Sequence, residues 1–149
     1  MLKHNEICNL IPHTGDMCLL DTVESWDAKK IVCLSNTHKK KNHPLRNSKG
    51  LPMLSLMEYG AQAMAVHGCL LADKEGLIMK EGYLAALRDI QITKGWLSDI
   101  ESELKISAER IYAEKGNMIY TINVYARGKK LISGRATVIS RFINRETIS

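Results

Sequence analysis

Apolar positions are densest between Gly50 and Asp73, where the chain reads GLPMLSLMEYGAQAMAVHGCLLAD. From Pro52 to Ala72 nearly every residue is apolar or small, and no proline follows Pro52. The pattern predicts one long helix buried on most sides, with Gly50 turning the chain and Pro52 at the first helical position. Such a helix spans roughly 30 Å. Its few polar residues include Ser55, Glu58 and Gln62, whose spacing places them on one stripe of the surface.

The remaining pattern alternates. Residues 5–12 read as a short helical or irregular segment ending at Pro12. Met17–Trp26 and Lys30–Thr37 are β-compatible runs around Asp27, Ala28 and Lys29, which predicts a hairpin. His38–Lys49 is polar and basic and holds Pro44, so it reads as an irregular loop feeding the helix. Residues 73–82 form a connection with two glycines, Tyr83–Thr93 a strand, and Gly95 a break. Leu104, Ile106 and Ala108 then alternate with Lys105, Ser107 and Glu109. Met118, Tyr120, Ile122 and Val124 share one face, and Ile132, Ala136 and Val138 follow. Turns at Lys115-Gly116-Asn117 and Arg127-Gly128-Lys129 separate the three strands into an antiparallel meander. Two strands, a helix and four strands make an α+β order. One sheet with an apolar face would have to wrap the helix, since nothing else in the chain could cover it. At 149 residues, residues 1–149 read as a single domain large enough to bury a core.

Composition narrows the function classes. With 45% hydrophobic and 25% charged residues the chain is an ordinary globular protein. The beginning, MLKHNEICNLIPH, lacks a long apolar core and a small-residue cleavage site, so no signal peptide is expected. Cys8, Cys18, Cys33 and Cys69 form no C-x-x-C pair and read as reduced thiols of a cytoplasmic protein, with no metal site. The net charge of +5 is concentrated at Lys39, Lys40, Lys41, Arg46 and Lys49 and at Arg127, Lys129 and Lys130. Such runs are commonly solvated loops. No aromatic residue lies among the lysines to stack on bases, which disfavours nucleic acid, whereas an acidic protein partner suits the charges.

Glu58 on a buried helix requires a reason. Ser55 and Glu58 match the S-x-x-E capping box, which requires the helix to start at Ser55. Alternatively Glu58 sits in a partly dry pocket, a setting in which a carboxyl group becomes useful for proton transfer near neutral pH. A membrane span is a third possibility for the stretch, opposed by Glu58, Gln62 and His67 within it and by the strands after it. Of the five histidines, His4, His13, His38, His43 and His67, none has an i+4 histidine partner. His38 and His43 lie in the loop that leads into the helix, so either can face a carboxylate across a pocket, within one chain or across a dimer.

These residues carry a resemblance. LIPHTGDMCLLDTV at residues 10–23 is similar to the L-P-H-x-x-x-x-L-L-x-D opening of bacterial 3-hydroxyacyl-acyl-carrier-protein dehydratases. His43-Pro44 followed by MEYGAQAMAVHG at 57–68 resembles their H-F-P turn and central helix. His43-Pro44-Leu45-Arg46, Gly50-Leu51-Pro52 and Glu58 to Ala65 resemble the N-P-L-R, R-L-P and E-Y-x-A-Q-A-M-A motifs of dehydratase-like proteins from aryl polyene pigment clusters. The resemblance implies a hotdog fold, an antiparallel sheet wrapped around one long central helix, in a homodimer or a heterodimer with a related hotdog subunit.

By the same resemblance, His43 would remove the α-proton of a 3-hydroxyacyl thioester, with His38 as the alternative base, and Glu58 would protonate the departing hydroxyl. Gln62 would orient Glu58, amides near Met53 and Leu54 would polarise the thioester oxygen, and Met53, Met57 and Met64 are candidates to line an acyl tunnel or plain core. The implied partner is an acyl carrier protein whose phosphopantetheine presents the substrate, and no metal or free cofactor is needed. Two other readings use the same scaffold: a thioesterase in which Glu58 activates water, and a non-catalytic subunit that binds the carrier protein.

Overall fold

The computed structural model describes residues 1–11 and 17–148. Strand β1 (Leu2–Lys3) leads into helix α1 (His4–Leu10), where the Glu6 carboxylate accepts the Lys3 amide at 3.2 Å. Strands β2 (Thr22–Trp26) and β3 (Lys30–Ser35) form the expected hairpin, and the long helix α2 runs Leu56–Lys74. Four strands follow: β4 (Leu77–Ile92), β5 (Leu104–Glu114), β6 (Asn117–Ala126) and β7 (Lys129–Asn144). They make one antiparallel seven-stranded sheet in the order β1-β2-β3-β5-β6-β7-β4.

The core lies between the concave sheet face and α2. Leu104, Ile106 and Ala108 of β5, Met118, Tyr120, Ile122 and Val124 of β6, and Ile132 and Ala136 of β7 are buried, which is the face that the alternation marked. Leu56, Tyr59, Gly60, Ala63 and Val66 of α2 meet them. This is the hotdog arrangement. No helix among the described residues is long and apolar enough to cross a membrane.

Four expectations are corrected. The segment 17–20 is not sheet. Its backbone groups are taken by side chains instead: Leu19 N–H by Gln62, Met17 C=O by Gln62, Leu19 C=O by Ser35 and Thr37, and Leu20 C=O by His4. Pro52 does not start the α-helix. It is extended (ψ 146°) and bridged to Trp96, because Leu51 is held on both sides by the turn at 97–98; a 3₁₀ turn, Met53–Ser55, intervenes before α2. The 73–82 connection shrinks to a turn at Gly76 (φ 71°), and Gly82 lies inside β4. Finally, Cys8 and Cys18 are disulfide-bonded, their α-carbons 5.8 Å apart. Helix α1 folds back on the segment after it, a proximity that a sequence separation of 10 does not reveal. Cys33 and Cys69 are free thiols, and burial pushes them up to about 12 and 11. Pro12 and His13 lie outside the described residues.

Candidate active site

Along the buried length of α2, half-buried positions recur at Glu58, Ala61, Ala65 and Cys69, one stripe of the helix. The stripe floors a groove of about 500 Å³. Asn9, Leu10 and Ile11 at the end of α1 form one wall, and Met79 to Leu84 of β4 the other. Small side chains open this space: Ala61 and Ala65 on the helix, and Gly82 on the strand. Met79 fills the gap beneath, its methyl group and sulfur standing where side chains at Gly68 and Gly82 would begin.

Glu58 is the only carboxylate on the helix before Asp73, and it lies in this groove. Gln62, one turn on and 1% exposed, donates its amide nitrogen to Glu58 Oε1 at 3.2 Å and to the Met17 carbonyl at 2.7 Å, while its oxygen accepts the Leu19 amide at 2.8 Å. The Gln62 amide is thus pinned from three sides, and one contact faces the carboxylate. Ser55 makes no capping bond, which removes the capping-box explanation of Glu58.

The expected histidines occupy other surroundings. His43 is 4% exposed. Its Nδ1 accepts the Leu45 amide at 3.1 Å, so Nε2 carries the proton and donates it to the Tyr59 hydroxyl at 3.0 Å. Tyr59 in turn donates to Thr37 Oγ1 at 2.8 Å, which donates to the Leu19 carbonyl at 2.7 Å. Burial pushes the Tyr59 phenol up to about 12, so it stays protonated and keeps the relay in one direction. His38, in a 3₁₀ turn (Thr37–Lys39), is fully buried and donates Nε2–H to the Ile100 carbonyl at 2.9 Å; its Nδ1 has no hydrogen-bond partner among the described residues. Burial lowers its affinity for a second proton. Neither histidine lines the groove.

Of the expected substrate contacts, Met53 and Met57 are buried, Leu54 is 56% exposed, and Gln62 stands behind Glu58. Met64 lines the groove and Met53 a second cavity beside Trp96. Sequence reasoning missed Tyr59 and the His67–Tyr120 pair. In that pair Tyr120 donates to His67 Nδ1 at 2.6 Å, and His67 Nε2–H donates to the Asp27 carbonyl at 2.8 Å. The one signal was polar rings inside apolar runs, which does not name their partners.

A family model described as ApeP dehydratase matches residues 5–147. The chain belongs to the ApeP-like dehydratase family. The Glu58 groove is therefore the groove of a dehydratase-family member. The dehydratase heterocomplex ApeI:P from Xenorhabdus doucetiae superposes with a TM-score of 0.80 at 19% identity, covering 95% of this chain and 92% of that chain. A mutant thioesterase from Staphylococcus aureus subsp. aureus Mu50 gives 0.62 at 12% identity, with 80% and 92% covered. The E. coli PaaI protein from the phenylacetic acid degradation operon gives 0.62 at 12%, with 91% and 88% covered. At such identities the likeness is one of fold, shared by dehydratases and thioesterases. No curated protein matches the chain in sequence.

Proposed function

We propose that this ApeP-like dehydratase converts 3-hydroxyacyl thioesters, carried on the phosphopantetheine of an acyl carrier protein, to trans-2-enoyl thioesters. The observation that carries the reading is Glu58, the carboxylate on the helix floor of the groove, held by Gln62 among small apolar residues. An acyl chain laid along Ala61 and Ala65 brings its C3 hydroxyl to the carboxyl group, which gives the proton as the C–O bond breaks. A histidine takes the C2 proton, and water leaves. The reaction requires neither metal nor free cofactor. Exposed Lys39, Lys40, Lys41 and Lys49 offer an acidic carrier protein a docking surface.

Two observations favour a second reading, in which the chain works as one half of a heteromer with a related hotdog subunit. Both nitrogens of His43 are engaged in the core, so this histidine acts as a base only after Nδ1 releases the Leu45 amide. The groove is also bounded by β4, a sheet-edge strand that exposes Tyr83, Leu84, Leu87, Ile90 and Ile92. A long apolar edge is a surface that proteins cover. A second subunit pairing there covers it and brings its own side chains to the groove.

The test is hydration of trans-2-enoyl carrier-protein thioesters, followed by mass spectrometry. Glu58→Gln is expected to lower turnover on the order of 10²- to 10⁴-fold. Turnover that is unaffected in Glu58→Gln defeats the assignment of the acid. Loss in His43→Ala or in His38→Ala identifies the base on this chain, whereas turnover that appears only with a second subunit and survives both changes supports the heteromer. Release of free thiol from acyl thioesters lacking a 3-hydroxyl favours the thioesterase alternative instead.

A further inference from the structure

His4 and Cys8 are one turn apart on α1, on the same face. The Leu20 carbonyl lies 2.7 Å from His4 Nδ1 and can only accept, so in the neutral ring Nδ1 carries the proton and Nε2 a lone pair. That lone pair faces Cys8 Sγ at 3.5 Å. A disulfide has no proton to offer it; a reduced Cys8 thiol has. The ligating atoms of His4, Cys8 and Cys18 all lie within 4.8 Å of one another. Cys8 is half-buried and Cys18 is 1% exposed, so Cys8 presents the reachable sulfur.

We propose that His4, Cys8 and Cys18 form a thiol–disulfide exchange site for small thiols of the glutathione class, and that the state of this pair governs how Gln62 holds Glu58. In the reducing direction, an external thiolate attacks Cys8 Sγ, the Cys8–Cys18 bond breaks, and Cys18 leaves with the electron pair and takes a proton. A second external thiolate then attacks the outer sulfur of the mixed disulfide on Cys8. The products are the protein dithiol and the oxidised small thiol, two electrons having moved to the protein. In reverse, His4 Nε2 takes the Cys8 proton, and the resulting thiolate is the nucleophile.

The coupling follows from the position of Cys18 between the two residues that grip Gln62, through the Met17 carbonyl and the Leu19 amide. The Leu19 carbonyl also accepts Ser35 and Thr37, the latter joined to Tyr59 and His43. The disulfide ties this crossing point to α1, whose last turn walls the groove. Opening it releases the segment from one anchor. The consequence for Glu58 rests on the dehydratase reading; the exchange chemistry does not.

The experiment uses the full chain equilibrated in buffers of varied reduced-to-oxidised glutathione ratio, acid-quenched and alkylated. Mass spectrometry should show the Cys8–Cys18 pair interconverting while Cys33 and Cys69 stay reduced; a pair that remains in one state at every ratio overturns the site. In the reduced protein at pH 7, iodoacetamide should label Cys8 on the order of tenfold faster than in His4→Gln. Equal rates remove His4 from the site. Deuterium exchange at the Leu19 amide should quicken several-fold on reduction and equally in Cys8→Ser, whereas an unchanged rate overturns the coupling. None of these readouts depends on dehydratase activity.

Discussion

Tyr59 shows how much a single polar atom organises here. Its ring is fully buried, lies near-parallel to His43 with centroids 6.1 Å apart, and its hydroxyl joins the loop histidine to Thr37. A buried hydroxyl with two partners is costly to delete, because those groups lose their bonds while the cavity stays dry. Tyr59→Phe is expected to lower unfolding stability by about 1–3 kcal/mol in urea titration, with the ring's packing retained. A variant as stable as the parent shows that the relay is incidental. Gln62 follows the same logic, and its three bonds explain why an amide sits at that position: no carboxylate or apolar side chain both donates to Met17 and accepts from Leu19.

Helix α2 seats itself on the sheet through glycine. A side chain at Gly60 would begin 2.6 Å from Ile122 Cγ2, 2.8 Å from its Cδ1 and 3.3 Å from its Cγ1, so the whole branched side chain blocks it. Alanine gains about 1 kcal/mol in helix propensity, against about 1–3 kcal/mol for overpacking. Gly60→Ala is therefore expected to be net destabilising, and Ile122→Val added to it should restore part of the loss. A raised urea midpoint for Gly60→Ala alone counts against this seating. The elements were largely legible beforehand, because the three strands of the meander and the central helix each carry their own period. The start of α2 was not, since the hydrogen bonds of Leu51 to residues 97 and 98 decide that Pro52 stays extended. Nor was the length of β4. Gly82 reads as a breaker in sequence, yet it lies inside the strand, where the Met79 sulfur packs into the space a side chain would take.

For the whole molecule, acid stability is set by histidines that folding keeps neutral. Burial holds the pKa of both His38 and His67 below the ordinary 6.5. Between that lowered value and 6.5 the unfolded chain binds protons that the folded chain refuses, so stability rises with pH. This contribution is complete above about pH 6.5 and is lost as pH falls below it, at a rate of at most about 1.4 kcal/mol per pH unit for each histidine. Urea midpoints measured from pH 7.5 to 5 should fall accordingly, and His67→Gln should flatten the slope by about half. A midpoint independent of pH in that window contradicts the assignment. Asp27, whose carboxylate is held below its usual range by the Lys29 and Lys30 amides, titrates outside this window.

The amino-acid sequence by itself determined the α+β order, the apolar faces of β5, β6 and β7, the central helix and the membership in a dehydratase family, because periodicity and local motif are properties of neighbouring residues. It also singled out Glu58 and Gln62, whose contact is one helical turn long. What only the tertiary structure decided are the long-range pairings: Met17 and Leu19 on Gln62, His43 on Tyr59, His38 on Ile100, and Cys8 on Cys18. In these pairings a side chain satisfies a group far away in the chain, and the choice among possible partners depends on where the sheet places each one. The polar character of those residues was readable at once, but the atom each one faces was settled only when the sheet closed around the helix.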